Sequence, residues 1–327
     1  MLAPIPSLPG FRLNSYLGSG PSGHVYCARD ELHARDVVVK LLDPHRCTPS
    51  GLARLAAIAG RAATSPGVPA TRFYDVVADP IRPFVVMDLL PGECLQAMLL
   101  RTGPMPWERA RALGHTIAGA LAAAHRAGLV HGALKPTNIF VHGDTVHLTD
   151  FGVRSLPEPL DPDALLADAG RMAPEQLRGE SADERSDLFG LGLLLFEFVT
   201  GRLPFEGPPL EVFKRQLSCR PPAPSHFVPT LPHVADSMIL ELLEKNPARR
   251  PASAIGARNM LSVDERGLDH ERATDGASRS AALHDPPMAR RPAEPRPAPL
   301  SRPNRIRVVA TVALVALLAA GLAMSCP

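Results

Sequence analysis

The chain is poor in cysteine, with five thiols in 327 residues: Cys27, Cys47, Cys94, Cys219 and Cys326. They are odd in number, widely scattered and never arranged as C-x-x-C. Neither a zinc site nor a disulfide framework is indicated, and idle thiols fit a reducing compartment. An excess of charge of one sign is missing too. Lys and Arg number 35 against 33 Asp and Glu, a net charge of +2, which gives no reason to invoke nucleic acid as a partner. No internal repeat is visible. The first residues, "MLAPIPSLPG", lack a basic residue ahead of an apolar run, so they are not a secretory signal, and the first domain is expected in the cytoplasm.

Two stretches lack the pattern of a packed core. From 263 to 307 the composition turns to Ala, Pro, Arg and Asp without apolar periodicity, which reads as a disordered linker. Beyond it, Val308 to Met324 is uncharged and mostly apolar, and 308–326 is expected to form one transmembrane helix. At ~1.5 Å per residue the uncharged run covers about 26 Å of a ~30 Å hydrocarbon core. Arg302, Arg305 and Arg307 precede it, so positive-inside logic leaves the preceding domain cytoplasmic, tethered to the cytoplasmic membrane by a single pass.

What remains is 11–262. Its first part holds short β-rich runs, "FRLNSYLG", "HVYCARD", "DVVVKLLD", "RFYDVVAD" and "PFVVMDLL", with one helical stretch at 50–63. After Pro91-Gly92 the pattern becomes helical. Residues 107–128 place Ala110, Leu113, Ile117, Leu121 and Ala124 on one face, and 185–201 is so continuously apolar that it must be a central buried helix. The expected class is α+β and bilobal, a small antiparallel β lobe (11–90) before a larger helical lobe (91–262).

Gly18, Gly20, Gly23 and Val25 lie on the turn between the first two strands, where glycines let backbone N–H groups approach a triphosphate. A hairpin rich in glycine for turn reasons is the alternative. Lys40 ends "VVVK", where its ammonium can meet phosphate oxygens; a snorkelling surface lysine is the alternative. Asn138 in "HGALKPTN" and Asp150 in "LTDFGV" offer hard oxygen ligands of the kind Mg²⁺ takes beside phosphate, and Lys135 adds a point charge. "MAPE" and "RSDLFGLG" follow in order. Together these landmarks resemble the bacterial branch of the eukaryotic-type serine/threonine protein kinases across 11–262.

That resemblance implies a bilobal protein-kinase-like fold, ATP and Mg²⁺ as cofactors, and a protein substrate or partner. By position it makes Gly18, Gly20 and Gly23 the phosphate-covering loop, Lys40 the third-strand lysine, and Asn138 and Asp150 the metal ligands. Met87 is similar to the gatekeeper, and Asp88 to Leu90 to the hinge that reads adenine. Glu175 resembles a structural glutamate whose arginine is Arg249 or Arg250, and Asp187 the aspartate that steadies the catalytic loop.

The pattern then breaks. Where the family has H-R-D, this chain has His131-Gly132-Ala133, so the carboxylate that accepts the substrate hydroxyl's proton is missing. Asp144 or Asp168 would have to reach the same spot to replace it. No Asp or Glu occurs between Asp43 and Asp75, so the helix of 50–63 cannot draw Lys40 onto the nucleotide, and Lys40 is expected to lose its clamp. Gly132 replaces the arginine that reads activation-segment phosphorylation. Residues 153–171 hold one hydroxyl, Ser155, and Asp168 stands where a threonine is expected. The reading is a membrane-anchored signalling pseudokinase that binds ATP. An active serine/threonine kinase and a nucleotide-free scaffold are the alternatives.

Overall fold

Five short β-rich runs pair into one antiparallel sheet: β1 (Phe11–Gly20), β2 (Gly23–Asp30), β3 (Arg35–Leu42), β4 (Phe73–Val77) and β5 (Phe84–Asp88), in the order β1-β2-β3-β5-β4. The structure is a computed structural model that describes residues 7–20, 23–65, 67–152 and 162–262. The expected linker (263–307) and transmembrane helix (308–326) lie outside the described residues, as do 153–161. Among the described residues no helix is long and apolar enough to cross a membrane.

The central strand explains a feature of the sequence. "VVVK" does not alternate because both faces of β3 are covered. Val37 and Val39 pack with Ala28, Phe84 and Val86 on one face, while Val38 packs with Val85, Met87 and Phe73 on the other. Helix α1 (Pro49–Thr64) covers that second face with Leu52, Leu55 and Ala59. Its start is set by Pro49 and by Thr48, whose hydroxyl accepts from the Gly51 N–H at 3.0 Å. Burying Leu55 contributes about 1.5–3 kcal/mol. Strand periodicity then puts Lys40, two residues after Val38, on the face that α1 covers.

The larger lobe opens with β6 (Glu93–Cys94) and α2 (Leu95–Thr102), followed by α3 (Trp107–Arg126). A hairpin of β7 (Ile139–His142) and β8 (Thr145–Leu148) joins β6 in a three-stranded sheet. Leu148 also bridges the small lobe, donating its N–H to Pro69 O at 2.8 Å and accepting from the Thr71 N–H at 2.9 Å. After α4 (Pro162–Asp168) and α5 (Pro174–Leu177) comes α6 (Glu184–Thr200), then α7 (Pro209–Ser218), α8 (His233–Leu242) and α9 (Ala254–Ser262).

Helix α6 is buried on every side, as its unbroken apolar run requires. Asp183 caps its start, accepting from the Ser186 N–H at 2.8 Å, and Gly201 ends it in the left-handed region at φ +73°. Close packing depends on small residues. A Cβ on Gly114 of α3 would lie 2.6 Å from Leu195 of α6, too close for any side chain to fit unless Leu195 shifts. Four of the five residues expected on the apolar face of α3 are buried, and Leu113 is half-buried.

A buried ion pair locks α5 to the end of the domain. Arg250 donates from Nη1 to Glu175 Oε1 at 2.7 Å and from Nη2 to Oε2 at 2.9 Å, and the Ser186 hydroxyl donates to Oε1 at 2.7 Å. Of the two arginines the sequence offered, Arg250 is buried and makes the pair; Arg249 is exposed. Burial pushes the Glu175 carboxyl up, but the hydrogen bonds and charge of Arg250 outweigh it and hold the group below the usual carboxylate range. Its folded pKa is therefore below the unfolded value of about 4.3. The resulting stability is complete above that pH and is lost as pH falls through the folded pKa. Arg250→Ala is expected to lower stability by about 3–5 kcal/mol, because it strands a buried carboxylate. Glu175→Gln should flatten the acid limb of stability against pH, measured by urea unfolding between pH 3 and 7. An unchanged acid limb would show that the pair is not what titrates.

Candidate nucleotide site and catalytic loop

The cleft side of the sheet begins at the β1–β2 turn. Gly18 pairs with Val25 and Gly20 with Gly23 across the hairpin, and Pro21 and Ser22 at its tip lie outside the described residues. The three glycines are not equivalent. A Cβ on Gly23 would sit 1.8 Å from the Leu41 carbonyl oxygen, so β3 alone demands glycine there. Cβ atoms on Gly18 or Gly20 would meet nothing within 4 Å, which leaves open space on that side for a ligand. Val25 is half-buried and packs against the cluster that contains Met87.

Met87 is buried on β5 among Val38, Val85 and Phe73. Asp88 follows it, with its N–H donating to Arg72 O at 3.0 Å and its carboxylate accepting from the Tyr74 hydroxyl. Leu89 is exposed and Leu90 half-buried.

Lys40 has a partner that sequence reasoning did not supply. Its Nζ donates to both oxygens of Asp150, at 2.8 and 2.7 Å. Helix α1 offers Lys40 no carboxylate, and the aspartate after β8 takes the ammonium instead. Where α1 meets this loop the contact is apolar, for a Cβ on Gly152 would lie 2.5 Å from Ile58 Cδ1. Asp150 itself is in the left-handed region at φ +63°, a conformation that Asp tolerates better than most residues. The following Phe151 is fully buried, its ring 4.6 Å from that of His131.

The loop from His131 to Asn138 is held almost entirely through its backbone. Asp187 of α6 accepts from the His131 N–H at 2.8 Å and the Gly132 N–H at 2.7 Å, and the His125 ring lies 2.8 Å from the same carboxylate. Gln176 of α5 donates its Nε2 to Gly132 O at 2.9 Å. The Ala133 N–H donates to His131 Nδ1 at 3.2 Å, and Asn138 Nδ2 donates to Ala133 O at 2.9 Å. Because His131 Nδ1 accepts, a neutral ring carries its proton on Nε2. Burial depresses the His131 pKa despite the nearby Asp187 and Asp150, which agrees with a neutral ring. Lys135 is half-buried within this loop.

An oxygen-seeking divalent cation fits what these loops present. Asp150 contributes a carboxylate and Asn138 an amide oxygen, whose nitrogen end is committed to Ala133 O. That oxygen accepts from the Thr137 hydroxyl at 3.2 Å and retains a further lone pair. Among the described residues no three His, Cys, Asp or Glu side chains gather as a metal cage, so an ion here would share its shell with nucleotide phosphates.

A family model of the protein kinase domain matches residues 11–262. The chain belongs to the protein kinase domain family. Serine/threonine-protein kinase PknL of Mycobacterium tuberculosis is 33% identical over 282 residues, which cover 84% of this chain and 70% of PknL. PknE of Mycobacterium bovis is 33% identical over 299 residues, 87% of this chain and 51% of that protein. For pkn2 of Myxococcus xanthus the match is 33% over 273 residues, 79% of this chain and 33% of the relative. The crystal structure of the Mycobacterium tuberculosis PknI kinase domain shares the fold, at a TM-score of 0.61 and 24% identity, covering 78% of this chain and 96% of that one. The family as a whole uses ATP and a divalent metal.

Against that background the kinase domain keeps the loop and changes its side chain. Ala133 is buried, its backbone is bonded on both sides, and it ends in a methyl group. Asp144 cannot stand in for a carboxylate there. It sits on the exposed turn between β7 and β8, and Asn138 precedes β7 at the other end, about 13 Å away at ~3.3 Å per strand residue. Two residues of the site escaped the sequence reading, His125 and Gln176. His125 had a signal, since it follows Ile117 and Leu121 at helical steps of four on a buried stripe. Gln176 had none beyond its place after Glu175.

Asp187→Asn is expected to loosen this loop, because an amide nitrogen cannot accept from the backbone N–H groups that the second carboxylate oxygen now satisfies. Loss of about 1.5–3 kcal/mol is expected. It should appear as a lower urea midpoint at unchanged slope. A midpoint equal to that of the wild type would mean that the loop is held elsewhere.

Proposed function

We propose that this kinase domain binds ATP with Mg²⁺, is impaired in phosphoryl transfer, and acts as a signalling pseudokinase whose nucleotide occupancy sets a partner-binding surface. One observation carries the reading. The catalytic loop is bonded through its backbone to Asp187, Gln176 and Asn138, yet the residue it presents at the acceptor position is Ala133. The group that would take the hydroxyl proton is missing, and so is an acid on α1, while the side chains that would hold the triphosphate and metal remain. A missing general base costs ~10² to 10⁴ in rate, about 3 to 5 kcal/mol of barrier.

A second reading, an active serine/threonine kinase, is favoured by the names of the relatives, all serine/threonine-protein kinases. Radiolabelled transfer from ATP to a serine peptide separates the two. Weak or no transfer is expected. Transfer at ordinary kinase rates that disappears in Lys40→Ala would establish the second reading. Ala133→Asp with Gly132→Arg should restore little, since the helix acid is missing as well. Nucleotide binding is read separately by thermal unfolding, because a ligand at 100 times its Kd stabilises by ~2.7 kcal/mol. No shift at millimolar Mg-ATP would leave a nucleotide-free scaffold.

The apolar run within 308–326 and the arginines before it support a single-pass anchor in the cytoplasmic membrane, with the kinase domain on the cytoplasmic side. Deleting 308–326 should move the protein from the membrane pellet to the soluble fraction; a truncated protein that still pellets after an alkaline wash would refute the anchor.

A further inference from the structure

The two opposite charges of the cleft are spent on each other. Lys40 and Asp150 come from elements 110 residues apart and meet through both carboxylate oxygens, with side chains 6% and 17% exposed. An acid on α1 would leave Asp150 free for other work, but the chain has none between Asp43 and Asp75. Ile58 occupies the contact between α1 and Gly152. A lysine this deep without a counter-charge costs several kcal/mol, so Asp150 is committed to it.

That commitment has a chemical consequence. A divalent cation seeks carboxylate oxygens, and both oxygens of Asp150 already accept from the single ammonium of Lys40. Asn138 is the other oxygen donor, and it is neutral and accepts from Thr137. A cation arriving alone would meet a carboxylate whose charge Lys40 already balances. A nucleotide changes this, since its phosphates offer Lys40 another anion and release Asp150.

We propose that Lys40 is a built-in stand-in for the divalent cation on Asp150, so that the nucleotide-free protein excludes metal. The proposal rests on the nucleotide-site reading above, but it concerns metal alone and is tested without nucleotide. Its corollary is an order of binding, with phosphate before or together with metal.

The experiment is a titration of the full chain with Mn²⁺, read by thermal unfolding and by calorimetry, in wild type, Lys40→Met and the double variant Lys40→Met with Asp150→Asn. Wild type should show no saturable Mn²⁺ binding. Lys40→Met, which frees the carboxylate at similar side-chain volume, should bind Mn²⁺ at least about tenfold more tightly, and the double variant should lose that gain. Equal responses of wild type and Lys40→Met, in either direction, would overturn the proposal. Should Lys40→Met fail to fold, the isosteric Asp150→Asn tests the clamp on which the proposal stands. Acylation of Lys40 by an amine-reactive ester, followed by mass spectrometry, should be at least about tenfold faster than in wild type once the clamp is gone, and an unchanged rate would refute it. If Mg-ATP fails to stabilise the wild type, the nucleotide reading falls, while the Mn²⁺ comparison still gives its own answer.

Discussion

A lysine on the covered face of a central strand needs a negative partner, and this chain supplies it from 110 residues away. The pair of Lys40 and Asp150 fixes more than two side chains. It ties the middle of the small sheet to the loop after β8, and that loop carries Phe151 into the core beside His131. Leu148, two residues earlier, is bonded to Pro69 and Thr71. One ion pair and one stretch of backbone thus help to join the floor and the roof of the cleft, beside the Arg61 guanidinium of α1, which donates to Gly128 O at 2.9 Å. With no acid on α1, the helix meets this junction through the side chain of Ile58, packed against Gly152. Loss of the helix carboxylate and pairing of Lys40 with Asp150 are two aspects of one charge balance.

Stability and chemistry have separated in the larger lobe. Glu175 with Arg250, and Asp187 with His125 and two backbone N–H groups, are buried polar networks in which each member has partners. Removing any one of them strands a charge or a donor. Ala133 differs in kind. Its loop is fixed through backbone atoms, so a methyl group there leaves no orphaned polar atom and costs the fold little. The methyl group at position 133 thus satisfies the fold without serving the chemistry, whereas the side chains at 175, 187 and 250 are required by the fold itself.

The elements were legible because their patterns are strong. Helix α6 is apolar on all sides, α1 begins at a threonine and a proline, and the strands are β-branched runs between turn residues. "VVVK" was legible as a half-buried run, but the reason its alternation fails, two covered faces, is a property of the assembled sheet. The site was legible as residue types in order: Gly18, Lys40, Asn138 and Asp150 could all be named. Which charge answers which could not, because pairing across 110 residues depends on where α1 and β8 come to rest. Arg249 and Arg250 are adjacent in sequence and opposite in exposure, and only packing against α5 and α6 chooses between them. Gly23 looked like part of a phosphate motif, yet the Leu41 carbonyl is sufficient reason for it.

The two losses, at Ala133 and on α1, act unequally on binding and on transfer. Holding a nucleotide requires net attraction, and Lys40, Asn138 and Asp150 can provide it in more than one geometry. Transfer requires the reacting atoms within about 3–3.5 Å and aligned, and a displacement of about 1 Å can cost ~10² in rate. If phosphate takes Lys40 and metal takes Asp150, nothing on α1 then fixes the lysine from behind. The donor would be bound but loosely aimed, and at the other side residue 133 offers the acceptor a methyl group. These penalties fall on the same transition state and multiply as rates, whereas the ground-state complex is affected by only one of them. A chain with both changes is therefore expected to lose phosphoryl transfer well before it loses nucleotide.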